Sequence, residues 1–306
     1  QQFVHEKERS ADPEAEQNNV YRRFQLQVGD WKEEEPASDP EPLFQFDDFS
    51  AFADQLQEQW SRDIEHFEER SEQVHMMKEV YAALEQGRHL LVEAGTGTGK
   101  SLAYLIPSLY YGIKNDQKVV ISTHTINLQE QLNERDIPLL HRLFPAAFRS
   151  AVFKGRSHYL CLRKFEHKMN FKDYEQRKDD RLAAAQMVVW LGETEHGDEE
   201  ELNLGQQGSS FWQTVASDAD SCLNRACPWF HKCFYHRARH EAQIADVVIT
   251  NHSMLFTDVK AEHRLLPAYD HLIVDEAHHF EEVAEKHLGT SLNYFSVANT
   301  LAWLYK

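Results

Sequence analysis

The sequence predicts an α/β protein with a mostly parallel sheet, interrupted by a mainly helical insert. Three observations lead there. A glycine-rich stretch, Glu93-Ala94-Gly95-Thr96-Gly97-Thr98-Gly99-Lys100-Ser101, sits between an apolar run and a helix-like pattern. Several short apolar runs each end in a polar tip, with helical patterns between them. All four cysteines fall between two of those runs.

The glycine-rich stretch has the form of a phosphate-binding loop. Leu90-Leu91-Val92 before it reads as a buried strand, and Leu102-Ala103-Tyr104-Leu105-Ile106 after it as a helix start. Gly95, Gly97 and Gly99 let the backbone turn its N–H groups toward one point, which the positive end of the helix also faces. Lys100 would reach the β- and γ-phosphates of a nucleoside triphosphate, and the Ser101 hydroxyl would sit on Mg²⁺. The strict pattern opens on glycine, whereas this chain has Ala94, which serves where no positive φ is needed. A chance Gly/Thr loop before Lys-Ser would not carry both flanks.

At 306 residues, 42% apolar and 27% charged, the chain falls among globular proteins that bury a real core. No apolar run approaches a membrane span and no export signal opens the chain. With only four cysteines, that argues for a reducing compartment and against a disulfide framework. The start at Gln1-Gln2, without methionine, leads us to expect a longer protein. The net charge of −18 gives no support to nucleic-acid binding in bulk, although a local basic face is what such binding needs.

Residues 1–48 read as an acidic linker or arm, with Glu33-Glu34-Glu35, Pro36, Pro40 and Pro42 and one isolated strand-like stretch, Tyr21 to Val28. Phe49, Phe52, Leu56 and Trp60 then define one helix face. Val74, Met77, Val80, Tyr81 and Leu84 define a second, ending at Gly87. At its start lies Gln73, whose amide offers the donor and acceptor that an adenine edge needs. Strands follow over Lys118–Ile121 with the tip Ser122-Thr123-His124-Thr125, over Ala151–Phe153, and over Val247–Ile249 with the tip Thr250-Asn251-His252. In a parallel sheet such tips gather at one edge, where ligands bind.

The last strand, His271–Val274, ends in Asp275-Glu276-Ala277-His278. Asp275 suits Mg²⁺, and Glu276 suits orienting the water that attacks the γ-phosphate, so Lys100, Asp275 and Glu276 are the catalytic candidates. Asp-Glu-Ala-His together with Ala94–Ser101 resembles the first motor domain of superfamily-two helicases. That resemblance implies a RecA-like fold that hydrolyses ATP to move on nucleic acid. Arg70 and Gln73 look like the family's adenine-reading motif. Thr123-His124-Thr125 and Thr250-Asn251-His252 resemble segments that contact nucleic acid.

Cys161, Cys222, Cys227 and Cys233 follow the pattern C-x60-C-x4-C-x5-C. Spacing alone leaves three readings open. They are a 4Fe–4S cluster, a zinc site in which His231 or His236 replaces a thiolate, or four unrelated core cysteines. Zinc knuckles usually carry tighter C-x2-C pairs. One cysteine after Gly155-Arg156-Ser157-His158-Tyr159-Leu160, then three close together, resembles the XPD-like iron–sulfur helicases and most of all their bacterial DinG-type branch. The resemblance runs from about Phe67 to His287.

The resemblance implies a cluster domain beside a single-stranded DNA path, 5′→3′ unwinding, single-stranded DNA and DNA junctions as partners, and a bacterial, nucleoid-associated cytoplasmic location. It divides the chain into an arm (1–48), a motor domain (49–154 and 240–285), the iron–sulfur insert (155–239) and the start of an arch domain (286–306). A second RecA-like domain is expected beyond it, without which the fragment hydrolyses ATP negligibly. Arg156 and Tyr159 are expected on the DNA path, with Arg163, Lys164, Lys168, Lys172, Arg177, Lys178, Arg181, Arg237 and Arg239 and the aromatics Phe165, Phe171 and Tyr174. Competing readings are a DEAH RNA helicase or other phosphate-loop ATPase with a zinc insert, and an interaction module with a vestigial ATP site.

Overall fold

The structure is a computed structural model that describes residues 28–32, 48–63, 70–95, 97–170, 178–289, 298 and 301. The strand expected over Tyr21–Val28, all but its last residue, lies outside them, as do Glu33–Glu35, Thr96, Phe171, Lys172, Tyr174, Arg177 and most of the expected arch segment. In chain order the elements are α1 (Phe49–Asp63), α2 (Ser71–Gln86), α3 (Lys100–Asn115), β1 (Val119–Thr123), α4 (Ile126–Gln131), α5 (Ile137–Leu143), β2 (Ser150–Val152), α6 (Leu162–Asn170), α7 (Lys178–Trp190), α8 (Gln206–Val215), α9 (Phe234–Ile244), β3 (Val247–Asn251), α10 (His252–Lys260), β4 (His271–Val274) and α11 (Phe280–Leu288). They fall into two compact units, Ala37–Phe153 with Ala242–Lys306, and Gln1–Pro36 with Lys154–Glu241.

The first unit is an α/β layer structure. Its sheet has the order β2-β3-β1-β4, and every pairing is parallel. β1 and β3 are buried along their whole length, which is why both read as unbroken apolar runs. Ser122 pairs with Thr250 on one side and Val274 on the other, so the tips of β1, β3 and β4 emerge together at one edge. Two tips turn directly into helices. The Thr125 hydroxyl accepts from the Leu128 amide to cap α4, and the Asn251 carboxamide accepts from the Met254 amide to cap α10.

The core lies between the sheet and α1, α2, α3 and α5. Phe52, Trp60, Leu105, Ile106, Tyr110, Ile121, Leu140 and Ile249 meet there, all essentially inaccessible to solvent. Each such side chain contributes about 1.5–3 kcal/mol of transfer free energy. The predicted face of α1 is the buried one, and α2 ends where Gly87 takes the left-handed conformation, φ 61°.

One expectation fails. Leu90–Val92 forms no strand, Leu91 is 91% exposed, and Val92 is 40% exposed. A strand exists only as paired backbone. Among the described residues, the sheet ends at β4, whose Leu272 is itself 39% exposed, and no ladder partner runs beside 90–92.

The second unit is mainly helical, with only the isolated bridges Tyr159–Asp198 and Leu160–Ala216 among its described residues. Trp212, Phe211, Phe165 and Tyr235 are buried in it, and Trp190 meets Trp212 edge-on at 6.1 Å between ring centroids. Buried Lys154 pairs with Asp198. Part of the acid-rich N-terminal stretch belongs to this unit. Trp31 is buried, its indole Nε1 donates to the Phe230 carbonyl at 3.0 Å, and the Lys232 ammonium donates to the Val28 carbonyl at 2.7 Å. Here the structure departs from a linker reading. Average polarity hid the buried apolar residues Val28 and Trp31.

Candidate nucleotide site and cysteine group

In the first unit, the loop before α3 gathers the expected residues. Gly97 (φ 83°) and Gly99 (φ 77°) take left-handed conformations, which side chains strongly disfavour. Gly99 also caps α3, so the helix opens on Lys100 and Ser101. Ala94 is partly exposed and Gly95 exposed, and the Thr98 hydroxyl donates to the Gly95 carbonyl at 3.0 Å. Arg70 donates to the Gly97 carbonyl. Gln73 is buried and gives its amide to the Gly99 carbonyl at 2.9 Å, so here it braces the loop from beneath.

The second motif meets the first. The Lys100 ammonium lies 3.3 Å from Glu276 Oε1, across 176 residues of chain. Asp275 Oδ2 accepts from the Tyr104 hydroxyl at 3.3 Å, and burial, then neighbouring Glu276, pushes the Asp275 carboxyl up. Glu276 has φ 54°, an uncommon conformation for a residue with a side chain and of the kind found at functional sites. This donor set suits a Mg²⁺–triphosphate: one ammonium, one hydroxyl (Ser101) and two carboxylates beside a helix N-terminus.

Four imidazoles adjoin these carboxylates. His278 Nδ1 lies 3.5 Å from Glu276 Oε2. His279 stacks on His124 at 3.9 Å between centroids and lies 4.0 Å from His278. His252 is fully buried, with Nδ1 2.7 Å from the Ser122 hydroxyl. Thr123 and Thr250 are also buried, and Thr250 donates to the Phe153 carbonyl at 2.8 Å. Asn251 caps α10. These side chains hold the strand tips in place, and Thr125 is the exposed residue beside them.

Burial, with His124 adding, holds the His252 imidazole down at about 4. The folded state therefore keeps it neutral while the unfolded chain takes up a proton below its ordinary pKa of about 6.5. Stability is full above about 6.5 and falls as the pH drops toward about 4, by roughly 1.4 kcal/mol per pH unit for one such group. Urea unfolding of wild type and His252→Asn between those pH values measures this. Equal slopes in the two would refute it.

In the second unit, the four cysteines are free thiols of intermediate burial. They sense one another: Cys161 and Cys222 add to the burial that pushes the Cys233 thiol up to about 11, and Cys227 adds to the burial that raises Cys161. Cys222 Sγ lies 3.8 Å from His236 Nε2. Burial, then Arg156, Arg239 and Arg225, pushes His236 down to about 4, which marks the surroundings as electropositive. Burial nevertheless outweighs these cations at Cys161 and Cys233, both of which are pushed up. Among the described residues, no three His, Cys, Asp or Glu groups converge on one metal ion.

The expected DNA-path residues are largely engaged within this unit. Arg156 lies over the Tyr235 ring at 3.9 Å and donates to the Asp218 carbonyl at 2.9 Å. Tyr159 is 3% exposed, its hydroxyl accepts from the Lys154 amide at 3.0 Å, and Phe165 is fully buried. Arg163 donates to the Ser221 carbonyl at 2.6 Å, Lys164 pairs with Asp218, and Arg237 pairs with Glu241 at 3.0 Å. Sequence reading missed Tyr104 and His279. Tyr104 carried a signal, being the one hydroxyl in the apolar stretch Leu102–Ile106.

A parallel α/β sheet that brings a glycine-rich loop at a helix N-terminus to the end of a paired-acid strand is the kind of frame on which nucleotide-binding loops occur. Residues 66–302 match the family described as type III restriction enzyme, res subunit, and the chain belongs to that family. It is 42% identical over 236 residues to the 3′-5′ exonuclease DinG of Bacillus subtilis, covering 77% of this chain and 25% of that protein. It is 40% identical over 226 residues to the ATP-dependent helicase DinG of Mycobacterium tuberculosis, covering 68% and 34%. It is 35% identical over 250 residues to the ATP-dependent DNA helicase YoaA of Escherichia coli, covering 77% and 37%. The chain thus spans 25–37% of the length of these relatives. No helix among the described residues is long and apolar enough to cross a membrane.

Proposed function

We propose that this chain is the nucleotide-gripping half of an ATP-dependent DNA helicase motor that acts in repair or replication in the bacterial cytoplasm. The observation that carries this reading is the meeting of Lys100 with Glu276 at 3.3 Å, which joins the two motifs into one site. The loop amides and Lys100 hold the triphosphate. Ser101 and Asp275 would hold Mg²⁺, which would neutralise charge developing on the phosphates. Glu276 orients the attacking water. Gln73 and Arg70 keep the loop in shape. The helicase names of two relatives support DNA as the partner. The exonuclease name of the third is not carried over, because the residues assembled here are those that hold a triphosphate.

Single-stranded DNA and junctions are bound at the strand tips (Thr123, His124, Thr250, Asn251 and His252) and beside Arg156 and Tyr159. With Thr123, Thr250, His252 and Tyr159 buried, these residues shape the surface, and their neighbours and backbone make the contacts. The four cysteines hold a 4Fe–4S cluster that braces the second unit. The placement of all four cysteines in one compact unit, in the order that resembles the iron–sulfur helicases, supports this reading. Travel is 5′→3′, on the resemblance to iron–sulfur helicases, and the isolated chain turns over slowly because a second motor domain completes the site.

The test uses the full-length protein. ATP hydrolysis stimulated by single-stranded DNA, and separation of forks carrying a 5′ tail but not a 3′ tail, are expected. Stimulation by RNA and not DNA would establish the RNA-helicase reading instead.

A further inference from the structure

Residues 28–32 lie ahead of the family-matched span 66–302 and take no part in the roles above. Within them Val28 and Trp31 are buried, while Gly29, Asp30 and Lys32 are exposed. A buried indole among exposed polar residues is an anchor, because its ring removes far more apolar area from water than its neighbours can. Trp31 lies 5.5 Å between ring centroids from both Phe230 and His240, and is inclined to the imidazole by only 29°. All three belong to the second compact unit.

What this strap grips is the turn between two cysteines. Phe230–Lys232 is a 3-10 turn. At one end the Phe230 amide donates to the Cys227 carbonyl at 3.0 Å, and at the other the Cys233 amide donates to the Phe230 carbonyl at 3.1 Å. The strap bonds to the same turn three times. The Trp31 indole Nε1 donates to the Phe230 carbonyl at 3.0 Å, and the Trp31 backbone amide donates to the His231 carbonyl at 2.8 Å. The Lys232 ammonium donates to the Val28 carbonyl at 2.7 Å and lies 3.6 Å from Asp30. The Phe230 carbonyl thus accepts from Trp31 and from Cys233, so one oxygen joins the strap to the backbone of a cysteine. A lone 3-10 turn has poor hydrogen-bond geometry and holds its shape weakly. Three added bonds and a buried ring hold this one.

We propose that residues 28–32 are a clasp, with Trp31 as its positioning residue, that fixes the turn between Cys227 and Cys233 and so controls how these two thiols are presented. The arm is thereby an interaction element of the cysteine-bearing unit: loosening it frees two of the four thiols. The inference goes beyond the cluster reading and holds for the free thiols themselves.

The test pulses reduced, metal-free full-length protein with N-ethylmaleimide and follows alkylation of each cysteine by peptide mass spectrometry. A protected thiol reacts in proportion to the fraction of time that its surroundings are open. Trp31→Ala is expected to speed Cys227 and Cys233 at least about 10-fold and to change Cys161 and Cys222 by less than about 2-fold. Trp31→Phe keeps a ring and the backbone bond but loses the indole donor, and is expected to speed the same two thiols about 2–10-fold. It carries the test alone should the Ala variant not fold. Unchanged rates in both variants, or all four cysteines speeding alike in Trp31→Phe, would overturn the proposal. So would a wild type whose Cys227 and Cys233 react as fast as they do in urea. The iron content of anaerobically purified protein tests the cluster reading separately, so either can fail without the other.

Discussion

Lys100→Ala is expected to lower nucleotide affinity at least about 100-fold, because the ammonium serves two phosphates and a charged hydrogen bond is worth about 1.5–3 kcal/mol. Glu276→Gln is expected to do the opposite to binding. Glu276 lies 3.3 Å from the Lys100 ammonium, so its charge competes with the phosphates for the lysine. Neutralising it frees the lysine, and affinity stays equal or rises. Hydrolysis falls about 10²–10⁴-fold, since the water loses its base. Fluorescent-nucleotide titration and single-turnover hydrolysis on the full-length protein separate the two effects. Normal binding by the Lys100→Ala variant, or loss of binding and turnover together in the Glu276→Gln variant, would defeat the assignment.

The second large effect concerns the cysteines. Anaerobically purified full-length protein is expected to be brown, to absorb at about 400 nm and to hold about four irons per chain. Serine at Cys161, Cys222, Cys227 or Cys233 is expected to remove colour and iron together. Because Cys233 is held up at about 11 by burial and its thiol neighbours, the metal-free form is a protonated thiol at neutral pH. Reconstitution must therefore release protons, which a weakly buffered solution with a pH dye records. Nucleotide binding should survive, since the loop belongs to the other compact unit. Zinc without iron, or full colour after any one substitution, would count against a four-cysteine cluster.

Much of the first unit was legible because its signals are local. Apolar runs of strand length, Thr125 and Asn251 at caps and Gly87 at a helix end each encode backbone conformation within a few residues. The loop and the paired acids were legible for the same reason. Burial direction was not. Thr123, Thr250, His252 and Tyr159 carry polar groups that sequence reading sends to a ligand, and the fold turns them inward onto their own framework. Gln73 similarly spends its amide on Gly99. Leu90–Val92 reads as a strand from composition, but whether it pairs depends on a neighbour that no local pattern specifies.

The sequence by itself determined the chemistry available to this protein: a triphosphate grip, a paired-acid strand and four thiols in an interrupted parallel α/β chain. Residue type and short spacing suffice for that, because each motif is built within one turn. Only the tertiary structure decided which groups meet. Lys100 and Glu276, Tyr104 and Asp275, and His124 and His279 are brought together by sheet order and register across long stretches of chain. Long-range contact is set by how strands pair and where side chains are buried, and neither leaves a mark in the neighbouring residues.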